Sequence, residues 1–570
     1  MKRTIASLVR LVAPLVGLIA PLVGLVAPLA AQTAESFTPS TPIAAYVASD
    51  LDGDGRAELV LIAPNGELRV ASRPARGGAL VESSPCLALA RPGNAALALA
   101  DLDGDGRREL IVFDDRGAFA HRLGEGFAFD AAPQPLTTDA RLRVRLGRPT
   151  FAELVQDLNG DRRPDLVLPV ADACEVWLQK PAGSAVDAAG GAAPFAFELA
   201  QSIPQVLAHS VSADGLHLAE RYTNELRVPQ LDVADVDGDG RPDLRAREGK
   251  KRRFFLQDAT GRFAEKPIEV DLALFRDTTP EAQVATGTTL VVGDDQQMQD
   301  GDLDGDGIPD YVIAHRRKVW SFLAGKGGPQ FKKADVRIVA EDVTGLLLLR
   351  LDDDPRVDLC IFKVEVPSAV ELVLGLVSSI DVPIKVLGYR TDEKGSFARK
   401  AQWNRELTLR IPSILKLLGQ ADDLVERFLK VLGKLRWSAL ADVDGDGARD
   451  LALVTEDESA IELWHNPPSA RDTDGASDQR WKALLFDDPD TVFDVERLLK
   501  LAAQLLDART GTLTGSRAAD RRSSLPVAAG TSIAGIFAAD LDGDGASETV
   551  LVRESETARG RLRFDVIDWH

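Results

Sequence analysis

Six times in 570 residues the chain spells Asp-x-Asp-Gly-Asp-Gly-x-x-Asp/Glu, beginning at Asp50, Asp101, Asp235, Asp302, Asp442 and Asp540. A weaker copy, DLNGDRRPD, begins at Asp157, and a degraded one, RLDDDPRVD, at Arg350. Carboxylates at alternate positions of a glycine-containing loop wrap oxygen donors around a hard cation, and position 7 can add its backbone carbonyl. The candidate metal ligands are the side chains at positions 1, 3, 5 and 9. They are Asp50, Asp52, Asp54 and Glu58; Asp101, Asp103, Asp105 and Glu109; Asp157, Asn159, Asp161 and Asp165; and Asp235, Asp237, Asp239 and Asp243. The later loops supply Asp302, Asp304, Asp306 and Asp310; Asp442, Asp444, Asp446 and Asp450; and Asp540, Asp542, Asp544 and Glu548. Calcium is the expected cofactor, at about seven sites. A single Asp/Gly loop could be a solvated turn, but seven that all keep an acid at position 9 argue against that reading.

The elements that hold these loops are strands. An EF-hand needs a bidentate Glu at position 12 and a following helix, whereas position 12 here is Leu61, Val112, Leu168, Ala246, Ile313, Leu453 or Leu551. The segment after each loop is rich in β-branched and apolar residues (Leu59-Val60-Leu61-Ile62, Leu110-Ile111-Val112-Phe113), and the segment before it is short and apolar (Ala44-Ala45-Tyr46-Val47). The loop therefore joins two strands, and the acid at position 9 is expected to close the shell. Loop starts are 51, 56, 78, 67, 48, 92 and 98 residues apart, a unit of about fifty with growing insertions.

Charge tracks the loops. The chain carries −21, and 31 of its 88 acids lie in the eight loop segments. So acidic a chain is a poor partner for nucleic acid. Crowded carboxylates repel until a cation arrives, so metal binding and local folding should be coupled.

Strand, acidic loop, strand and then a Gly-x-aromatic turn (Gly261-Arg262-Phe263, Gly395-Ser396-Phe397) resemble the FG-GAP/VCBS repeat of integrin-α-like propellers. The resemblance spans residues 36–570 and implies an all-β fold: a single closed β-propeller of four-stranded blades, eight favoured by the loop count and seven the alternative. It also implies that the segment after Ala34 completes the last blade beside Arg561–Trp569 and removes a free edge.

Residues 1–31 read as a signal peptide: Lys2, Arg3 and Arg10 precede an apolar run to Ala31, broken by Pro14, Pro21 and Pro28. An uncleaved anchor is the alternative. Export is expected, to a secreted, periplasmic or cell-surface location, with no membrane span after cleavage. Helical insertions are expected at about 366–383, 411–436 and 490–510 (Ser368 to Ile380, Pro412 to Leu435, Thr491 to Ala508), on the face opposite the acidic loops. That face is where the resemblance places a protein or glycan ligand.

Cys86, Cys174 and Cys360 allow at most one disulfide. There is no GxSxG, HExxH, P-loop or GxGxxG, and the six histidines show no paired spacing. Lys250-Lys251-Arg252-Arg253 reads as a solvated basic turn, and the tryptophans as core before sugar platforms. A non-catalytic binding or adhesion module is the leading reading, a polysaccharide-lyase-like enzyme the alternative, and a structural surface module the third. The third loop, with Asn159 and Arg162, should be the weakest site, having lost shape and charge. The sixth, with Arg350 at position 1 and Pro355 at position 6, should bind no calcium and hold a guanidinium from Arg350 among Asp352, Asp354 and Asp358.

Overall fold

The structure, a computed structural model, describes residues 32–569 except 34, 74–77, 182–194, 212–221, 278–295, 344, 365–378, 412–436, 448, 456–457, 466–477, 479–481, 488–490, 495–518 and 526–528. Each acidic loop connects the first two strands of an antiparallel sheet, so eight loop-bearing units succeed one another along the chain. In the first, Ala45–Ser49 pairs with Glu58–Ile62, which pairs with Glu67–Ser72, which is capped by Val81–Glu82 and Leu87–Ala88. The second strand is buried along its whole length, whereas the third alternates. An uninterrupted apolar run suits a strand covered on both faces, and neighbouring units supply that cover.

Seven hydrophobic clusters join consecutive units, including Leu51, Val60 and Leu68 of the first with Leu97, Leu110 and Phe129 of the second. Leu59 and Leu61 pack in the same way on Val550 and Phe564 of the eighth, so the last unit lies beside the first. Seven sheets have four or five strands and are complete blades. Of the two counts expected, seven, the alternative, is therefore the one that matches. The fifth unit has three strands, Gln297–Gly301, Asp310–Phe322 and Val336–Val343. Its long strand pairs with the first strand through Asp310 to Ala314 and with the third through Arg316 to Ser321. Arg316, at φ 52°, reverses the chain between the two halves and so brings the Ala324 N–H back to Asp310 Oδ1 at 2.7 Å.

Closure takes the expected route. Glu35–Phe37 adds to Leu562–Ile567 in the eighth unit, with Glu35 opposite Val566 and Phe37 opposite Phe564. Ser36 Oγ donates to Asp565 Oδ1 at 2.7 Å, and Arg73 binds Glu35 at 2.9 Å, stitching the start of the described chain to both ends of the ring. Gln32–Thr33 runs parallel to Arg521–Ser524 of the seventh unit.

The expected helices are corrected where they can be compared. Residues 380–383 belong to the strand Ile380–Tyr389, and Ile411 ends the strand Trp403–Ile411. Val492–Asp494 is a strand parallel to Thr408–Arg410, fixed where Thr408 N–H donates to the Thr491 carbonyl at 2.7 Å. An open sheet edge outcompetes helix formation there, because it offers unpaired backbone groups to a β-branched segment. The rest of the three insertions, and residues 1–31, lie outside the described residues. Among the described residues no helix is long and apolar enough to cross a membrane.

Candidate metal-binding face

Within each regular loop the position 1 aspartate staples the backbone. Asp50 accepts Gly53 N–H at 2.8 Å through Oδ1 and Gly55 N–H at 3.1 Å through Oδ2. The second, fourth, fifth and eighth loops repeat both bonds. These bonds need a left-handed backbone at position 6, and glycine takes it at φ between 82° and 89° in all six regular loops. The third loop reaches the same shape with Arg162 at φ 67°, whose N–H still meets Asp157 Oδ2 at 2.8 Å. Its expected loss of shape is therefore corrected. The staple outweighs the strain of about 1–2 kcal/mol, and only the charge at Asn159 is missing.

Position 9 is the more unexpected residue. In all eight units its carboxylate accepts the N–H of position 2 at 2.7 to 3.1 Å, and none is more than 4% exposed. In four units its other oxygen accepts an N–H near the end of the third strand, from Gln179, Gln257, Ala324 or Thr391. This acid clasps the loop to the sheet. Burial, with the neighbouring aspartate charges adding to it, pushes Glu58, Glu109 and Glu548 up to about 7 and Asp165, Asp310 and Asp358 up to about 6.

The acids converge as a cation site requires. Ligand atoms of Asp50, Asp52 and Glu58 lie within 4.8 Å of one another, as do those of Asp101, Asp103 and Glu109, of Asp235, Asp237 and Asp239, and of Asp302, Asp304 and Asp306. Asp52 Oδ1 is sealed from solvent and accepts no hydrogen bond. A buried carboxylate oxygen without a donor is costly, and a cation there would satisfy it, so the donor set fits calcium. Neighbouring loops touch. A Cβ on Gly53 would lie 2.5 Å from the Gly106 carbonyl oxygen, and the Ala57 N–H donates to the Asp540 carbonyl at 2.6 Å.

A family model described as an FG-GAP-like repeat matches residues 50–112, which hold the first two loops and the strands between them. The same loop between the first two strands recurs in every later unit. The chain is a β-propeller that carries an FG-GAP-like repeat at residues 50–112. None of the curated proteins matches it. Among solved structures, it is similar to an Agrocybe aegerita lectin described as recognising non-reducing terminal N-acetylglucosamine, with 16% identity over 64% of this chain and 80% of that one, at a TM-score of 0.27. It is also similar to the WD40 domain of SCAP from fission yeast, with 9% identity over 94% and 98% of the two chains and a TM-score of 0.28. Likeness at that level says nothing of function.

The FG-GAP propeller is not uniform round its ring. In the sixth loop the expected guanidinium is corrected: Arg390 Nε binds Asp352 Oδ2 at 2.7 Å and Arg356 Nη2 binds Asp354 Oδ2 at 2.6 Å, so Arg390 and Arg356 supply the cations instead of Arg350. Asp358 keeps its clasp. Arginines at position 7 also pair with position 5 in the first, third and fourth loops, through Arg56, Arg163 and Arg241. Sequence reasoning missed Arg390, Arg122 and His465, each the first residue after a third strand. The available signal was that register, once the strands are counted from the loop.

Other candidates resolve into structure. The three cysteines are free, with burial pushing Cys174 and Cys360 up to about 12. Lys251 to Phe255 is a strand, so the basic run is only partly a turn, and Arg253 pairs with Glu248 and Glu269. Trp320, Trp464 and Trp569 are core. His315 is buried and accepts the Asp277 N–H at 2.9 Å.

Proposed function

We propose that this FG-GAP propeller is exported, loads calcium in its regular loops, and presents its opposite face to a protein or glycan ligand without catalysing a reaction. The observation that carries the metal reading is Asp52 Oδ1, buried and unsatisfied within a cluster of three carboxylates. Calcium suits an all-oxygen set on flexible loops better than magnesium, which demands a tight octahedral shell. Export rests on the basic and apolar pattern of residues 1–31. The ligand reading is supported by a cavity of about 590 Å³ beside the turn Val170 to Asp172, the end of the third unit away from its acidic loop. Asp139, Arg141, Arg143 and Glu175 line it, a mixed set of donors and acceptors suited to hydroxyl-rich or peptide ligands.

Metal analysis of the purified chain, joined to a glycan and peptide array, tests this function. The expected result is several calcium ions per chain and array binding that Arg141→Ala with Arg143→Ala abolishes while calcium content stays constant. A chain that takes up no calcium overturns the metal reading, and array binding unaffected by the double substitution overturns the cavity.

A further inference from the structure

Three units place the first residue after the third strand against position 3 of their own loop. Arg122 follows Gly117–His121 and binds Asp103; Arg390 follows Ile380–Tyr389 and binds Asp352; His465 follows Ala460–Trp464 and lies 3.2 Å from Asp444. In these three units the register meets the loop, whereas Arg73 and Lys180, at the same place in the first and third units, pair with Glu548 and Glu198 instead. An arginine there brings a fixed positive charge that competes with a metal ion. Imidazole instead brings a nitrogen lone pair.

In the seventh unit the geometry goes further. His465 Nδ1 lies 3.2 Å from Asp444 Oδ2 and 3.6 Å from Asp450 Oδ2, and ligand atoms of the three residues fall within 4.8 Å of one another. Asp450 is fully buried, and the His465 backbone is held by its N–H bond to Asp520 Oδ2 at 2.8 Å. Asp442 and Asp446 stand on the same loop, tied by the Asp446 N–H to Asp442 Oδ1 at 3.1 Å. The clusters of the first, second, fourth and fifth loops are all-carboxylate. Imidazole among carboxylates shifts a site from hard cations toward zinc and its first-row neighbours, which take nitrogen readily, whereas calcium prefers oxygen throughout.

We propose that the seventh loop is a zinc-class site in which His465 Nδ1 joins Asp444 and Asp450 as a ligand, while the regular all-carboxylate loops take calcium. The site rests on the reading of these loops as metal-binding. It makes the ring heterometallic, with one position that millimolar calcium does not fill.

The test titrates zinc into the full chain in the presence of millimolar calcium, by calorimetry and by metal analysis after desalting. One zinc per chain is expected, held at least about tenfold more tightly than in His465→Ala, since even an outer-shell partner of a zinc ligand is worth that much. The bound calcium count should not fall in the variant. X-ray absorption of the one-zinc wild-type chain should show the outer-shell scattering of a single imidazole, a readout that does not depend on the variant folding. Zinc retained equally by His465→Ala, or a zinc spectrum with oxygen ligands only, overturns the proposal. So does the absence of zinc uptake, which would leave His465 as an ion-pair partner of Asp444. Calcium binding that persists in any of those outcomes leaves the calcium reading standing, whereas a chain that binds neither metal removes both.

Discussion

Raising pH on the metal-stripped propeller should destabilise it, and calcium should cancel the effect. Glu58, Glu109 and Glu548 are pushed up to about 7 in the fold, chiefly by burial, from an ordinary value of 4.5. An acid raised in this way binds more protons folded than unfolded, so stability falls as pH rises from the unfolded value toward the folded one. Its contribution is fully present below about pH 4.5 and gone above about pH 7. Each glutamate then costs roughly 3 kcal/mol, and the three together on the order of 10 kcal/mol, comparable with the whole stability of an ordinary domain. Asp165, Asp310 and Asp358, pushed up to about 6, add to the slope at its acidic end. For a chain of this size the three glutamates correspond to a fall in Tm on the order of 10 °C between about pH 5 and pH 7.5. The assay is thermal unfolding by circular dichroism across that range, in metal-free buffer and in millimolar calcium. The metal-free curve should slope downward and the calcium curve should stay flat or rise. A flat metal-free curve would refute the reasoning, because it would mean that the position 9 acids ionise in the fold without cost.

Arg390→Ala should lower stability by about 1 kcal/mol to the same extent with and without calcium, measured by urea denaturation; calcium found crystallographically at Asp352 and Asp354 would sink the built-in cation. Arg162→Gly should stabilise the chain by about 1 kcal/mol in the same assay by relieving the left-handed backbone of the third loop, and a loss would show that the Arg162 side chain has an unrecognised partner. Phe37→Ala should cost about 3 kcal/mol and speed unfolding, since Phe37 is buried with its ring centroid 6.1 Å from that of Phe564 at the ring closure; an unchanged unfolding rate would mean that the closing strand carries none of the barrier.

Local, repeated features were legible because they recur in one register. Eight copies of a nine-residue motif identify the strand pair around each loop, and the closure at Glu35 to Phe37 answers an otherwise bare edge at Leu562 to Ile567. Features that depend on the third strand were not legible. The interval from position 9 to the residue after that strand varies, from Asp450 to His465 in the seventh unit and from Asp358 to Arg390 in the sixth, where the turn has grown. No fixed spacing in the sequence therefore points to His465 or Arg390. The blade count was misjudged for a related reason. Loops count strand pairs, and in the fifth unit the segment Asp310–Phe322 doubles back on itself at Arg316, which no loop count can reveal. The segment at Val492 to Asp494 was read as the first turn of a helix from its apolar periodicity, but an available edge on Trp403–Ile411 decides it.

The clasp by position 9 changes what metal binding does to the ring. If that acid were only a ligand, each site would load independently. Instead, the position 9 carboxylate holds its loop through the position 2 N–H in every unit, holds the end of the third strand as well in the third to sixth, and joins the acidic cluster in the first and second. The loops are also bonded to one another: the Arg108 N–H reaches the Leu51 carbonyl at 2.8 Å, Val357 reaches Asp302 at 3.0 Å, and Ser547 reaches Asp442 at 2.8 Å. In the last two, the acceptor is the backbone of the same position 1 aspartate whose side chain staples its loop. A cation that drew in one loop would move the acceptor of the next unit's hydrogen bond, so calcium titration should show positive cooperativity if these contacts couple the loops, and independent binding if they do not. The sixth unit stands apart in that series, because Arg390 and Arg356 already neutralise Asp352 and Asp354 while its Val357 N–H bonds to the Asp302 carbonyl of the fifth loop.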